Sequence, residues 1–85
     1  DFVRASAAQA LGVLRAAAAQ PQLERGLTDH AWWVRFRSAL ALALLGESGR
    51  AALRRARHSS DRFAREMAEM VSGLSDGAVL ELADA

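Results

Sequence analysis

Apolar side chains recur at helical spacing along most of this chain, and short polar or glycine-containing breaks divide the pattern into segments. The first segment predicts a helix from about Phe2 to Ala18. Pro21 suits the opening turn of a short second helix ending near Thr28, because proline's fixed φ and missing N–H are tolerated there. A third helix runs from about Trp32 to Leu45 and stops at Gly46, a residue able to take a left-handed cap. Ser48 is placed to cap a fourth helix that ends near Arg57, and Ser59 or Ser60 a fifth from Arg62 to Ser72. Ser75 opens a short last helix around Val79, after which the chain is expected to fray.

The pattern repeats. Val3-Arg4 recurs as Val34-Arg35 after 31 residues and as Ala64-Arg65 after another 30. The same frame aligns Ala7 with Ser38 and Ala68, Ala10 with Ala41 and Val71, Leu11 with Leu42, and Gly12 with Ala43 and Gly73. An aromatic precedes each pair, as Phe2, Trp33 and Phe63. A period near 30 residues, with apolar positions at helical spacing, means one helix pair per repeat, stacked so that neighbours bury each other's faces.

The first copy, Val3-Arg4-x-x-Ala7-Ala8-x-Ala10-Leu11-Gly12, resembles the signature of HEAT-like repeats, the short variety also found in phycobilisome lyase subunits. The stretch from Leu23 through Leu27 and Asp29 to Val34-Arg35 resembles that family's link between the two helices of a repeat. The resemblance spans most of residues 1–73. It implies an all-α fold, a right-handed α-solenoid of about two and a half helix-pair repeats forming a single domain over residues 1–85. The pairs then fall at about 1–18, 21–46 and 48–73, followed by a terminal segment. Glu69 and Ser72 depart from the alanine and leucine of the pattern, which marks the third copy as a terminal repeat. The resemblance also implies a ladder in which Arg4, Arg35 and Arg65 bond an aspartate in the turn before the second helix, a position that Asp29 matches.

Composition adds to this picture without changing it. Apolar residues make up 52% and charged residues 25%, a globular profile whose apolar share leans on alanine, the best helix former, so almost no strand is expected. No cysteine is present, which excludes disulfides, thiolate metal sites and a cysteine nucleophile. The longest apolar run, Ala39 to Leu45, is seven residues, against about 20 for a bilayer span. With no span and no signal-like segment, a cytoplasmic location is the expectation, and a start at Asp1 is what a piece of a longer protein would show.

Net charge is +1, yet all eleven basic residues are arginine and they are unevenly placed. Residues 50–65 carry six arginines against Asp61, and residues 66–85 carry five acids and no base. Such asymmetry builds either a footprint for an anionic partner or a basic helix paired with an acidic neighbour, and the second reading is favoured. Arg50, Arg54, Arg55 and Arg57 lie on one predicted helix of the outer, convex face, where charge chiefly solvates. Only His58 is near them, whereas a nucleic-acid site normally adds stacking aromatics, which argues against that partner.

Of the fourteen residues from Trp32 to Leu45 only Arg35, Arg37 and Ser38 are polar, so this helix is buried on most sides. Trp32, Phe36 and Leu40, spaced four apart, share one side, where the other copies carry Asp1, Ala5 and Gln9, or Arg62, Glu66 and Met70. Repeat packing does not require an aromatic there, so these three are candidates for a contact patch on the inner, concave side. Trp33, at the repeated aromatic position, is expected in the core. His30 and His58 fall in turns without a ligand-spaced companion, and neither a metal site, a cofactor site nor a catalytic constellation is read. The functional expectation is therefore a non-catalytic scaffold for a protein or peptide, with self-association through open repeat ends as a further possibility. The alternative that the resemblance offers is part of a lyase subunit or of a HEAT-like DNA glycosylase.

Overall fold

A computed structural model describes residues 19–84, and these form five helices and no strand. They are α1 (Gln20–Gly26), α2 (Trp32–Leu44), α3 (Glu47–Ala56), α4 (Arg62–Ser72) and α5 (Asp76–Asp84). The helix expected over residues 2–18, with Arg4, lies outside the described residues. The other predicted helices are present with ends shifted by at most two residues, apart from the last, which extends well beyond its expected core at Val79. No described helix is long and apolar enough to cross a membrane.

The turn before the second helix of each pair is built twice in the same way. Asp29 Oδ1 accepts from the backbone N–H of Ala31 at 2.8 Å, and thirty residues on Ser59 Oγ accepts from that of Asp61 at 3.0 Å. These short side chains hold the backbone extended at the helix entry, with φ/ψ of −86/124° at Ala31 and −79/119° at Asp61. Only Asp61 then caps its helix, accepting from Ala64 N–H at 2.9 Å. The cap expected of Ser59 or Ser60 therefore belongs to Asp61, with Ser59 supporting it from outside. Ser48 likewise caps nothing; its hydroxyl donates to Gln20 Oε1 at 3.0 Å, tying α3 to α1.

Between α2 and α3 the chain passes through Gly46 at φ 86° and ψ −146°, a conformation essentially reserved for glycine. Gly49 is buried where α3 crosses the end of α2, and a Cβ there would stand 1.8 Å from the Leu42 carbonyl oxygen. The absence of a side chain is what allows that approach.

Two stripes of α2 define the layers. Ser38, Leu42 and Leu45 face α1 and α3, with Gly26 against Ser38 and Gly49 against Leu42 and Leu45. On the far side, Trp33, Arg37, Leu40 and Leu44 follow one another at helical spacing. That side meets α5: Arg37 Nη1 donates to the Leu82 carbonyl at 3.0 Å, and Ala43 and Leu44 share a cleft with Val79 and Leu80. α1 and α3 thus form an outer layer, α2 and α4 an inner one, and α5 lies on the inner face of α2. Because Asp76 reaches Arg50 on α3 at 2.8 Å while Leu82 reaches Arg37, α5 runs back antiparallel along α2. The segment expected to fray is instead a packed helix, with Val79 and Ala83 buried. Leu23, Leu40, Leu42, Leu53 and Val71 fill the middle of the stack.

Candidate functional site

The inner face carries most of the large apolar side chains that remain accessible. At the start of α2 the Trp32 ring stacks on Phe36, one turn on, with centroids 4.9 Å apart and planes 16° from parallel. Trp33 stands edge-on to both, at 5.0 Å from Trp32 and 5.9 Å from Phe36. Offset and edge-on packing of this kind rigidifies the cluster through the ring quadrupoles. Beside it, Phe63 and Met70 of α4 are about half exposed, as are Trp32 and Trp33. A cavity of about 180 Å³ lies between the helices, lined by Trp32, Arg35, Phe63, Glu66, Met67 and Met70.

The structure redraws the patch read from the sequence. Trp32 is open to solvent, Phe36 is nearly closed off beneath it, and Leu40 is fully buried. Leu40 is therefore no part of an accessible surface, because its side of α2 is where α5 lies. Trp33 is not in the core: half its surface is exposed, and the Arg37 guanidinium sits 5.6 Å above its ring. The repeated aromatic is a rim position, since its counterpart Phe63 is exposed to the same extent. Phe63 and Met70 escaped the patch prediction although one signal pointed to them: they sit one repeat on from Trp33 and Leu40.

The repeated arginines do hold the turns, through a different acceptor from the one expected. Arg35 Nη1 donates to the carbonyls of Asp29 at 2.8 Å and His30 at 3.1 Å. Arg65 Nη1 repeats this with Ser59 at 2.9 Å and Ser60 at 3.2 Å. The partner is thus the turn's backbone, which explains how Ser59 can stand where Asp29 stands. Charged donors to carbonyls left over between two helices are strong bonds, and the guanidinium fork reaches both at once. Across to the next repeat, the ring of Phe63 lies over the Arg35 guanidinium at 4.4 Å, and Arg35 is only 7% exposed. Arg65 is less deeply buried. Arg4 falls outside the described residues.

Three of the four outer arginines pair with carboxylates. Arg50 meets Asp76, Arg54 meets Glu47, and Arg55 approaches Glu24 at 3.5 Å. On α4, a hydrogen bond from Arg62 to Glu66 and the charge of that carboxylate raise the Arg62 pKa above its ordinary value. His30 and His58 lie on exposed turns, His30 3.6 Å from the Asp29 carboxylate.

A family model for HEAT repeats matches residues 2–73. The chain belongs to the HEAT-repeat family. Its two described HEAT units share the turn geometry, the arginine clamp and the inner-layer helix at an offset of thirty residues. The match extends to HEAT repeats as a class, and the lyase-type variety is no part of it. No curated protein and no solved structure gives a match to this HEAT chain.

Proposed function

We propose that this chain is a protein-interaction scaffold that presents its inner face to a protein or peptide partner and carries out no catalysis. One observation carries the reading: Trp32, Trp33, Phe63 and Met70, four large apolar side chains, stand about half exposed on the inner layer, three of them aromatic. A concentration of accessible apolar area on a small domain marks a contact surface, and tryptophan and methionine are enriched where proteins meet. The outer arginines support the same reading, because those already paired with Asp76, Glu47 and Glu24 offer little to a phosphate backbone.

Selection of displayed random peptides against the chain tests this. Enriched ligands should lose most of their affinity when Trp32 is replaced by alanine, the loss expected of a central aromatic anchor. Failure to enrich any ligand, or ligands indifferent to Trp32→Ala and Phe63→Ala alike, would refute the assignment.

A further inference from the structure

We propose that α5 is a displaceable strap closing half of a partner-binding stripe on α2, and that a partner's short amphipathic helix with an acidic first turn displaces it. The inference rests on the scaffold reading and adds to it a control on access. Trp32, Trp33, Phe36, Leu40, Ala43 and Leu44 follow one another along one side of α2 at helical spacing. The amino-terminal half of this stripe is open, with Trp32 and Trp33 about half exposed. Its other half is closed. Leu40, 0% exposed, lies between Arg37, which bonds the Leu82 carbonyl, and Leu44, which shares a cleft with Val79 and Leu80. One continuous apolar stripe is thus half covered, and α5 is what lies over the covered half.

Several features make that cover a loose one. By order in the chain α5 follows an inner helix, as α3 follows α2, so the repeat assigns it to the outer layer; it turns inward instead, beyond residue 73, where the HEAT match ends. Of its nine residues only Val79 and Ala83 are buried, while Gly77, Leu80 and Glu81 stand in solvent. Its ion pair to Arg50 comes from an Asp76 side chain that is 93% exposed, where such a pair contributes little. A cleft of about 610 Å³, lined among others by Leu44, Glu47, Arg50, Asp76 and Leu80, runs between α5 and the α2–α3 corner, so packing on that side is incomplete. A helix this short depends on its packing, and an element with so few buried contacts opens locally while the rest stays folded.

The chemistry of the seat specifies what takes the place of α5. Arg50 and Arg37 stand at its two ends and receive from α5 an acid in the first turn and a carbonyl in the last, both in keeping with the helix dipole. A displacing helix meets the same two arginines, so it carries a carboxylate in its first turn and apolar residues at three- and four-residue spacing, as α5 does at Val79, Leu82 and Ala83. It gains over α5 by reaching past Phe36 to Trp32 and Trp33. Its apparent affinity is reduced by the fraction of time that α5 is seated, which is how the strap controls access.

Two variants of the full chain bracket the position of α5. Val79→Asp places a carboxylate in the buried contact and lifts the helix; Leu44→Cys with Leu80→Cys, in a chain that has no cysteine, joined by a flexible bis-maleimide, holds it down. The probe is a fluorescent peptide of the chain's own residues 74–85, followed by anisotropy. It should bind the Val79→Asp chain at least tenfold more tightly than the cross-linked one, with the wild type between. Equal binding by the two would overturn the proposal. Hydrogen exchange of the wild type gives a readout that does not depend on either variant folding: amides of α5 should exchange at least a hundredfold faster than those of Leu40 and Leu42. Equal rates would mean that α5 leaves only when the stack unfolds, and would overturn the strap. Dimerisation of the wild type abolished by the cross-link would put the α5 of a second copy in the seat and overturn the assignment to a partner. If peptides selected on the Trp32 face bind the cross-linked and Val79→Asp chains alike, the strap falls and the scaffold reading stands; if no peptide is selected, both fall.

Discussion

Replacing Arg35 with alanine should cost about 3 kcal/mol, twice the cost of the same change at Arg65, and the difference isolates the ring of Phe63. Both arginines make two bonds from one Nη1 to the carbonyls six and five residues earlier. A charged donor to a carbonyl contributes about 1.5 to 3 kcal/mol, but these turn carbonyls regain water once the arginine is gone, so the pair together counts for about 1.5 kcal/mol. Arg65 has little more to lose. Arg35 also loses the ring 4.4 Å from its guanidinium, about 1 kcal/mol for a largely desolvated cation–π pair, and roughly 0.5 kcal/mol of packing along its buried stem. At about 4 to 8 °C per kcal/mol for a domain of this size, melting followed by far-UV circular dichroism should fall by about 12 to 24 °C for Arg35→Ala and by about half as much for Arg65→Ala. A double-mutant cycle with Phe63→Ala should return a coupling of about 1 kcal/mol between Arg35 and Phe63. Equal losses at the two arginines, or no coupling, would show that the ring merely lies near the guanidinium and joins nothing.

Three further outcomes follow from the packing. Ala31→Asp should stabilise the chain by about 0.5 to 1 kcal/mol in a urea titration, since Ala31 has the same backbone conformation as Asp61 and lacks only the capping carboxylate; Asp61→Ala should lose about as much. Gly49→Ala should destabilise by about 2 kcal/mol despite alanine's better helix propensity, because the new methyl meets the Leu42 carbonyl, and a neutral result in a thermal melt would mean that α3 can move away without penalty. Trp33→Ala should cost about 1 to 2 kcal/mol, well short of the 3 to 5 kcal/mol of a fully buried tryptophan, and a larger loss would return Trp33 to the core.

The repeat made most of the layout legible in advance. Where two copies share a letter at the same offset, as at Arg35 and Arg65, the structure gives both the same bonds, and the helix over Arg62–Ser72 has the limits its pattern predicts. Periodicity, however, says that Trp33 and Phe63 occupy equivalent places, not whether those places lie inside or at the rim. An aromatic two residues before an arginine satisfies either arrangement, since a ring covering a guanidinium keeps one face in water. The partner of the arginines was hidden for a related reason: Asp29 stood at bonding distance in sequence, but the acceptor is a backbone carbonyl, which every residue supplies and no letter marks. α5 was the least legible element. Its nine residues are too few to form a helix alone, and what holds them is contact with residues far back in the chain, Arg50 26 positions before Asp76 and Arg37 45 before Leu82.

The arginine clamp has a consequence for how such units could be recombined. Each guanidinium is fastened to its own turn, so at the arginine itself a following unit contributes only a flat ring at the right height, while the outer layer adds the Ser48–Gln20 hydrogen bond and the Arg55–Glu24 pair. Joints of that kind tolerate exchange. Units could be shuffled, duplicated or grafted in a new order as long as an aromatic stands two residues before each arginine and the outer-layer partners, Gln20 with Ser48 and Glu24 with Arg55, are matched at the new joint.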